Sequence, residues 1–170
     1  MLNRDMRNAV RNVLAAMGAL MLAACSSVEK SYIDEVVDLP LKTTTIPPTS
    51  WQQAPLRANA NYLLYGARTS KEKANRVGDY YYVRWYDAEP TKPVRLVMRY
   101  TQALTASREL TRTIELKEPR EEPSQQLSKF FFAGEERRKC GDVLSWSIDL
   151  YVDGQLRDSR QSYLWEEEDK

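Results

Sequence analysis

Two stretches of this chain alternate residue by residue. In VRLVMRY, Val94, Leu96, Met98 and Tyr100 fall on one side of an extended backbone, with Arg95, Val97 and Arg99 on the other. In DVLSWSIDLYV, Leu144, Trp146, Ile148, Leu150 and Val152 share a side, opposite Ser145, Ser147, Asp149 and Tyr151. Side chains alternate in a strand but recur every 3.6 residues in a helix, so the pattern specifies strands with one buried and one wet face. A sheet with one apolar face needs a second layer to cover it. Five more segments have strand character: Asn61–Gly66, Asp79–Asp87, Glu109–Leu116, Lys129–Gly134 and Ser159–Trp165. Turn-forming residues lie between several of them, at Asp87–Pro93, Pro119–Pro123 and Asp153-Gly154.

About seven short strands without a clear helical segment predict an all-β fold, an antiparallel β-sandwich. In strand number, size and a core tryptophan (Trp85 or Trp146) the pattern resembles the immunoglobulin-like or fibronectin-III-like class, although no cysteine pair joins the sheets. A small open barrel is the alternative. Asp153-Gly154 signals a hairpin. A two-residue turn sets Val152 opposite Gln155 and Leu150 opposite Arg157. A three-residue turn with Gly154 left-handed sets Leu150 opposite Leu156 and buries that leucine, and this register is the expected one. Ser70–Gly78 reads as a charged loop, and Glu118–Gln126 and Glu135–Asp142 read as charged turns.

The 170 residues contain no histidine. Histidine-based general-base catalysis, Ser-His-Asp and Cys-His triads and histidine metal sites are therefore excluded. Carboxylate and Ser-Lys chemistry remain, but no spacing recommends either, so the chain is expected not to be an enzyme. The acidic group Glu118, Glu121 and Glu122 lacks calcium-loop spacing, and neither a metal nor a cofactor is expected. Cys140 follows Arg137-Arg138-Lys139, but it has no histidine to serve as its base and reads as a passive thiol.

The N-terminus gives an address. Arg4, Arg7 and Arg11 precede Val13–Ala24, an uncharged, mostly apolar run. That run is about 12 residues long, against the roughly 20 that a bilayer-spanning helix needs. A basic head, a short apolar body and small residues at the end describe a secretory signal. The run ends in Leu22-Ala23-Ala24-Cys25, which resembles the lipobox of bacterial lipoproteins. The resemblance covers these residues alone. It implies cleavage between Ala24 and Cys25, a diacylglyceryl group on the Cys25 thiol, and acylation of the new amino group. Such palmitate-type chains contribute about 0.8 kcal/mol per buried CH₂, and two or more of them anchor firmly. Ser26, in place of the aspartate of enteric inner-membrane retention signals, favours the outer membrane of a two-membrane cell envelope.

The expected organisation is a signal peptide over 1–24, a lipidated cysteine and tether over 25–55, and a sandwich over 56–166. Prolines at 40, 47, 48 and 55 and a threonine cluster make the tether an extended spacer, with Tyr32–Leu41 as an alternative edge strand. Without the signal, 22 basic and 23 acidic residues remain, a net charge of −1. Nucleic acid is not an expected partner of so neutral a chain. In GDYYYVRWYD, alternation sets Tyr80, Tyr82, Arg84 and Tyr86 on one face, and Arg95 and Arg99 are expected beside them on a neighbouring strand. Tyrosine and arginine favour interfaces, so this face suits a protein partner or, alternatively, a glycan.

Overall fold

The computed structural model describes residues 30–46, 54–106 and 108–168. Ala24, Cys25 and the expected signal peptide lie outside the described residues. The strands are β1 (Tyr32–Asp38), β2 (Gly78–Asp87), β3 (Val94–Gln102), β4 (Leu110–Leu116), β5 (Ser124–Ala133), β6 (Val143–Val152) and β7 (Gln155–Gln161). Four helices accompany them: α1 (Ala54–Leu64), α2 (Ser70–Asn75), α3 (Glu135–Cys140) and α4 (Tyr163–Glu168).

The strands form two antiparallel sheets, ordered β1-β2-β5 and β4-β3-β6-β7. The expected all-β sandwich is therefore present. Its fourth strand pairs with the third instead of joining the first sheet, which departs from the constant-type immunoglobulin order.

Alternation places the core. Tyr81, Val83 and Trp85 of β2 and Phe130 and Phe132 of β5 face Leu96, Met98 and Tyr100 of β3 and Ile148, Leu150 and Val152 of β6. Trp85 is fully buried and donates its indole N–H to Ser128 Oγ at 3.1 Å. A buried indole keeps a partner for its one polar atom, as here. Trp146 sits at the core margin, edge-on to Tyr81 with ring centroids 5.7 Å apart.

Several expectations need correction. Asn61–Gly66 is not a strand, because its leucines belong to α1. Ala60, Leu63 and Leu64 are three and four residues apart, a helical spacing, and they bury one helix face. Pro55 sits in the first turn, where its missing N–H costs nothing.

Tyr32–Asp38 is an edge strand of the first sheet, so the 25–55 tether does not hold as an extended spacer throughout. A bulge between Ile33 and Glu35 puts Ile33 opposite Trp85 and Val36 opposite Val83. The two inward residues are thus three apart, and the period-two signal vanishes.

The Ser70–Gly78 loop contains α2, opened by a capping box in which Thr69 and Glu72 satisfy each other's backbone N–H groups. Part of the charged turn at Glu135–Asp142 is α3, with glutamates first and basic residues last, as the helix dipole favours. Ser159–Trp165 is divided between β7 and α4, and Leu144 is exposed at a bulge where Gln102 pairs with Val143.

The β6–β7 hairpin takes the two-residue turn, not the expected three-residue one. Val152 pairs with Gln155, and Asp153 and Gly154 both have positive φ, at 52° and 75°. Aspartate tolerates that region, and two such residues in succession match the twist of the flanking strands. A bulge then sets Leu150 opposite Asp158 and leaves Leu156 exposed.

One end of the sandwich is locked by charge. Asp87 is fully buried at the end of β2 and pairs with Arg120. Arg120 also donates to the Lys92 carbonyl at 2.6 Å and the Glu118 carbonyl at 3.1 Å, so one guanidinium joins the β2–β3 and β4–β5 connections. Removing one partner of a buried pair leaves an uncompensated charge, which costs about 3–5 kcal/mol. Arg120→Ala is expected to destabilise the fold by about 3 kcal/mol in urea denaturation, and the Asp87→Asn/Arg120→Ala double variant to recover part of the loss. A loss for Arg120→Ala under 1 kcal/mol is incompatible with this role.

Candidate functional site

Helix α1 lies on the outer face of the first sheet. Its Ala60, Leu63 and Leu64 pack with Leu41 and Tyr80 into a second, smaller core, flanked by Tyr82 and Ala133. The C-terminal carbonyls of α1 are held by Arg76, whose guanidinium donates to Leu63 O at 3.0 Å and Tyr65 O at 2.7 Å. This is a favourable place for a cation, at the negative end of the helix dipole. Tyr80 donates its hydroxyl proton to the Arg76 carbonyl at 2.5 Å, joining the strand to the same corner.

Between α1 and β5 runs a groove of about 420 Å³, lined by Tyr62, Tyr65, Arg76, Tyr80, Lys129 and Phe131, with Leu63, Asn75 and Ala133. Tyr62, Tyr65 and Phe131 are exposed at its rim, and Leu127 of β5 and Leu56 of α1 are further exposed apolar residues. The Tyr80 and Phe131 rings are nearly parallel, 6.3 Å apart at 17°. The Lys129 ammonium lies over three rings, 5.0 Å from the centroid of Tyr80, 5.4 Å from Tyr82 and 5.6 Å from Phe131. Cations are attracted to such faces.

The expected binding face is divided by the topology. Tyr80, Tyr82, Arg84 and Tyr86 share the outer face of β2, as alternation requires, while Tyr81, Val83 and Trp85 point inward. Arg95 and Arg99 are not beside them. They lie on β3, in the other sheet, and face out on the opposite side of the sandwich. There Arg95 covers the Tyr151 ring at 4.9 Å, and Arg99 meets Asp149 at 3.4 Å and the Trp165 ring at 5.4 Å.

The tyrosines do not form a flat open platform either. Tyr80 is buried beneath α1, and Tyr82 packs against Tyr62 at an interplanar angle of 57°. Tyr86 packs against Tyr32 at 30°. Arg84 is exposed and pairs with Glu35 at 3.3 Å.

The groove residues Tyr62, Tyr65, Lys129 and Phe131 were not singled out by sequence reasoning. A signal was available in the Ala60, Leu63, Leu64 spacing of a helix and in the alternation of Leu127, Lys129 and Phe131 on β5.

The other polar clusters are internally paired. Asp79 and Asp142 share Lys42 and Arg137, with Lys42 2.7 Å from Asp142 and Arg137 3.0 Å from Asp79. Asp79 also accepts the Val143 N–H at 3.2 Å. These carboxylates hold the segment after β1, the start of β2, α3 and the start of β6 together and are engaged as acceptors. Cys140 is half-buried at the end of α3, and its carbonyl accepts the Leu104 N–H at 2.9 Å. Among the described residues no three His, Cys, Asp or Glu side chains are grouped so as to hold a metal ion. No protein-family model, curated protein or solved structure matches the chain.

Burial tunes the phenols, under α1 for Tyr80 and Tyr82 and between the sheets for Tyr81. Tyr80 and Tyr81 are raised above the ordinary tyrosine range, chiefly by loss of water around the ring oxygen. Tyr82 is pushed up to about 12, first by burial and then by the neighbouring Tyr62 phenol, although its hydroxyl makes no hydrogen bond of standard geometry. Below pH 10.0 the phenol is protonated in both folded and unfolded chains. As the pH rises, the unfolded chain ionises first, so the contribution of Tyr82 to stability is lost between its unfolded value of 10.0 and its folded value of about 12. Stability measured by urea denaturation should fall over that interval, less steeply for Tyr82→Phe than for the parent. Equal slopes for the two chains would contradict the assignment.

Proposed function

We propose that this chain is a lipid-anchored protein of the bacterial cell envelope, and that its sandwich binds a protein partner through the groove beside α1. The anchor is supported by Leu22-Ala23-Ala24-Cys25 after a basic head and a short apolar run. The observation that carries the binding role is the groove, where exposed Tyr62, Tyr65 and Phe131 surround Lys129. Aromatic residues are enriched in the buried centres of protein interfaces and dominate their energetics. Lys129 pairs with no carboxylate among the described residues, so an acidic side chain of a partner would find an uncommitted cation amid apolar surface.

A glycan-binding role has less support. Sugar rings stack on open, roughly coplanar aromatic faces, whereas the tyrosines of β2 are covered by α1 or tilted against their neighbours. A non-catalytic role accords with a chain that has no histidine and with carboxylates committed to ion pairs.

The test is made in intact cells. A photo-crosslinking amino acid at Tyr65 should give one discrete protein adduct. Phe131→Glu should abolish that adduct, and Thr111→Glu, on an edge strand of the other sheet, should leave it unchanged. In parallel, Cys25→Ser should remove palmitate labelling and release the chain from the membrane fraction. An adduct indifferent to Phe131→Glu rules out the groove, and unchanged fractionation and labelling of Cys25→Ser rule out the anchor.

A further inference from the structure

The anchor reading has a geometric consequence, because the fold begins so soon after Cys25. Ser31 is buried, and its Oγ accepts the Ala88 N–H at 3.0 Å. Tyr32 pairs with Tyr86, one residue before the buried Asp87. The chain therefore joins the sandwich at the end where β2 finishes. The β2–β3, β4–β5 and β6–β7 connections lie at this same end. They are cross-linked into one plate. Arg120 joins two of them, Arg157 reaches Glu89 at 2.6 Å, and the Asp153 N–H donates to the Pro93 carbonyl at 2.9 Å.

The groove lies toward the other end. It runs from Lys129, opposite Tyr82 in the middle of β2, past Phe131, opposite Tyr80, to Ala133, opposite Gly78 where β2 opens and β5 closes. With a strand rise of about 3.3 Å per residue, Asp87 and Gly78 are separated by about 30 Å. From Cys25 to Ser31 there are six residue steps, which reach at most about 22 Å in any conformation. The tether is shorter than the strand. An anchored Cys25 cannot let the Ser31 end rise far enough for the groove end to point down at the lipid.

We infer that the plate formed by the 88–93, 117–123 and 153–154 connections is the surface this protein turns to the bilayer, and that the α1 groove is held away from it. The inference rests on the proposed lipidation of Cys25. Charge does not supply the orientation. The plate carries Lys92, Lys117, Arg120 and Arg157 against Glu89, Glu118, Glu121, Glu122 and Asp153, with no basic excess to attract anionic lipid. The orientation comes from the covalent tether and its length.

The experiment uses the full lipidated chain carrying Cys140→Ser, so that the thiol of a single introduced cysteine is the one that reacts with a fluorophore. Thr91→Cys labels the plate and Lys71→Cys labels α2, near the groove. The protein is reconstituted in vesicles of phosphatidylethanolamine and phosphatidylglycerol containing a headgroup spin-labelled lipid. Quenching at position 91 should exceed that at position 71 by at least threefold. A twelve-residue Gly-Ser insertion after Ser27 should bring the two within a factor of 1.5. Equal or inverted quenching in a chain that floats with the vesicles overturns the orientation and leaves the anchor standing. A chain that does not float with the vesicles overturns both. A threefold difference that survives the insertion overturns tether length as its cause.

Discussion

Two sheets stacked face to face have four edges, and each edge strand presents backbone N–H and C=O groups with no neighbouring strand to receive them. Here the sheets close on each other through side chains. At one seam, Asp158 of β7 accepts the Ile33 N–H at 2.8 Å, and Arg160 donates to the Ile33 carbonyl at 3.0 Å. Two side chains thus occupy the place a strand would take beside β1. At the other seam, Arg112 of β4 donates to the Phe131 carbonyl on β5 and pairs with Glu136 at 2.6 Å. Its guanidinium also lies 4.5 Å from the centroid of the Phe132 ring, on the core side. These contacts bring the apolar inner faces together along both margins and shield backbone that would otherwise template pairing with another chain.

Much of the fold was legible because a strand with one buried face writes its orientation into every second residue. Five of the expected strand segments lie wholly or largely in strands, and Trp85 is at the core. What was missed was missed for identifiable reasons. The bulge at Asp34 removes β1 from the alternating pattern. The leucines of α1 mimic an extended segment because Leu63 and Leu64 are adjacent, although their helical partner, Ala60, is present. The hairpin register turned on whether Asp153 accepts positive φ, and burial of Leu156 was the wrong criterion. A downstream bulge lets that leucine stay outside while the rest of β7 keeps its pairing.

The candidate site was only half legible. Alternation orients residues on one strand, so the shared face of Tyr80, Tyr82, Arg84 and Tyr86 followed from the sequence. It carries no information on which sheet the next strand joins. The β2–β3 connection crosses between the sheets, and Arg95 and Arg99 leave the tyrosines for the far side of the molecule. The groove depends on tertiary contact in a second way. It exists because α1, from a proline-bearing stretch before the first long strand, returns to lie on the outer face of the sheet.

The β1–β2 ladder has a mechanical meaning. A load applied through the residues preceding Ser31 and directed along β1 shears the ladder rather than peeling it. Six residue pairs, from Tyr32↔Tyr86 to Asp38↔Tyr81, lie in line with that load. They resist it in parallel, as a lap joint does, instead of opening one after another like a zip.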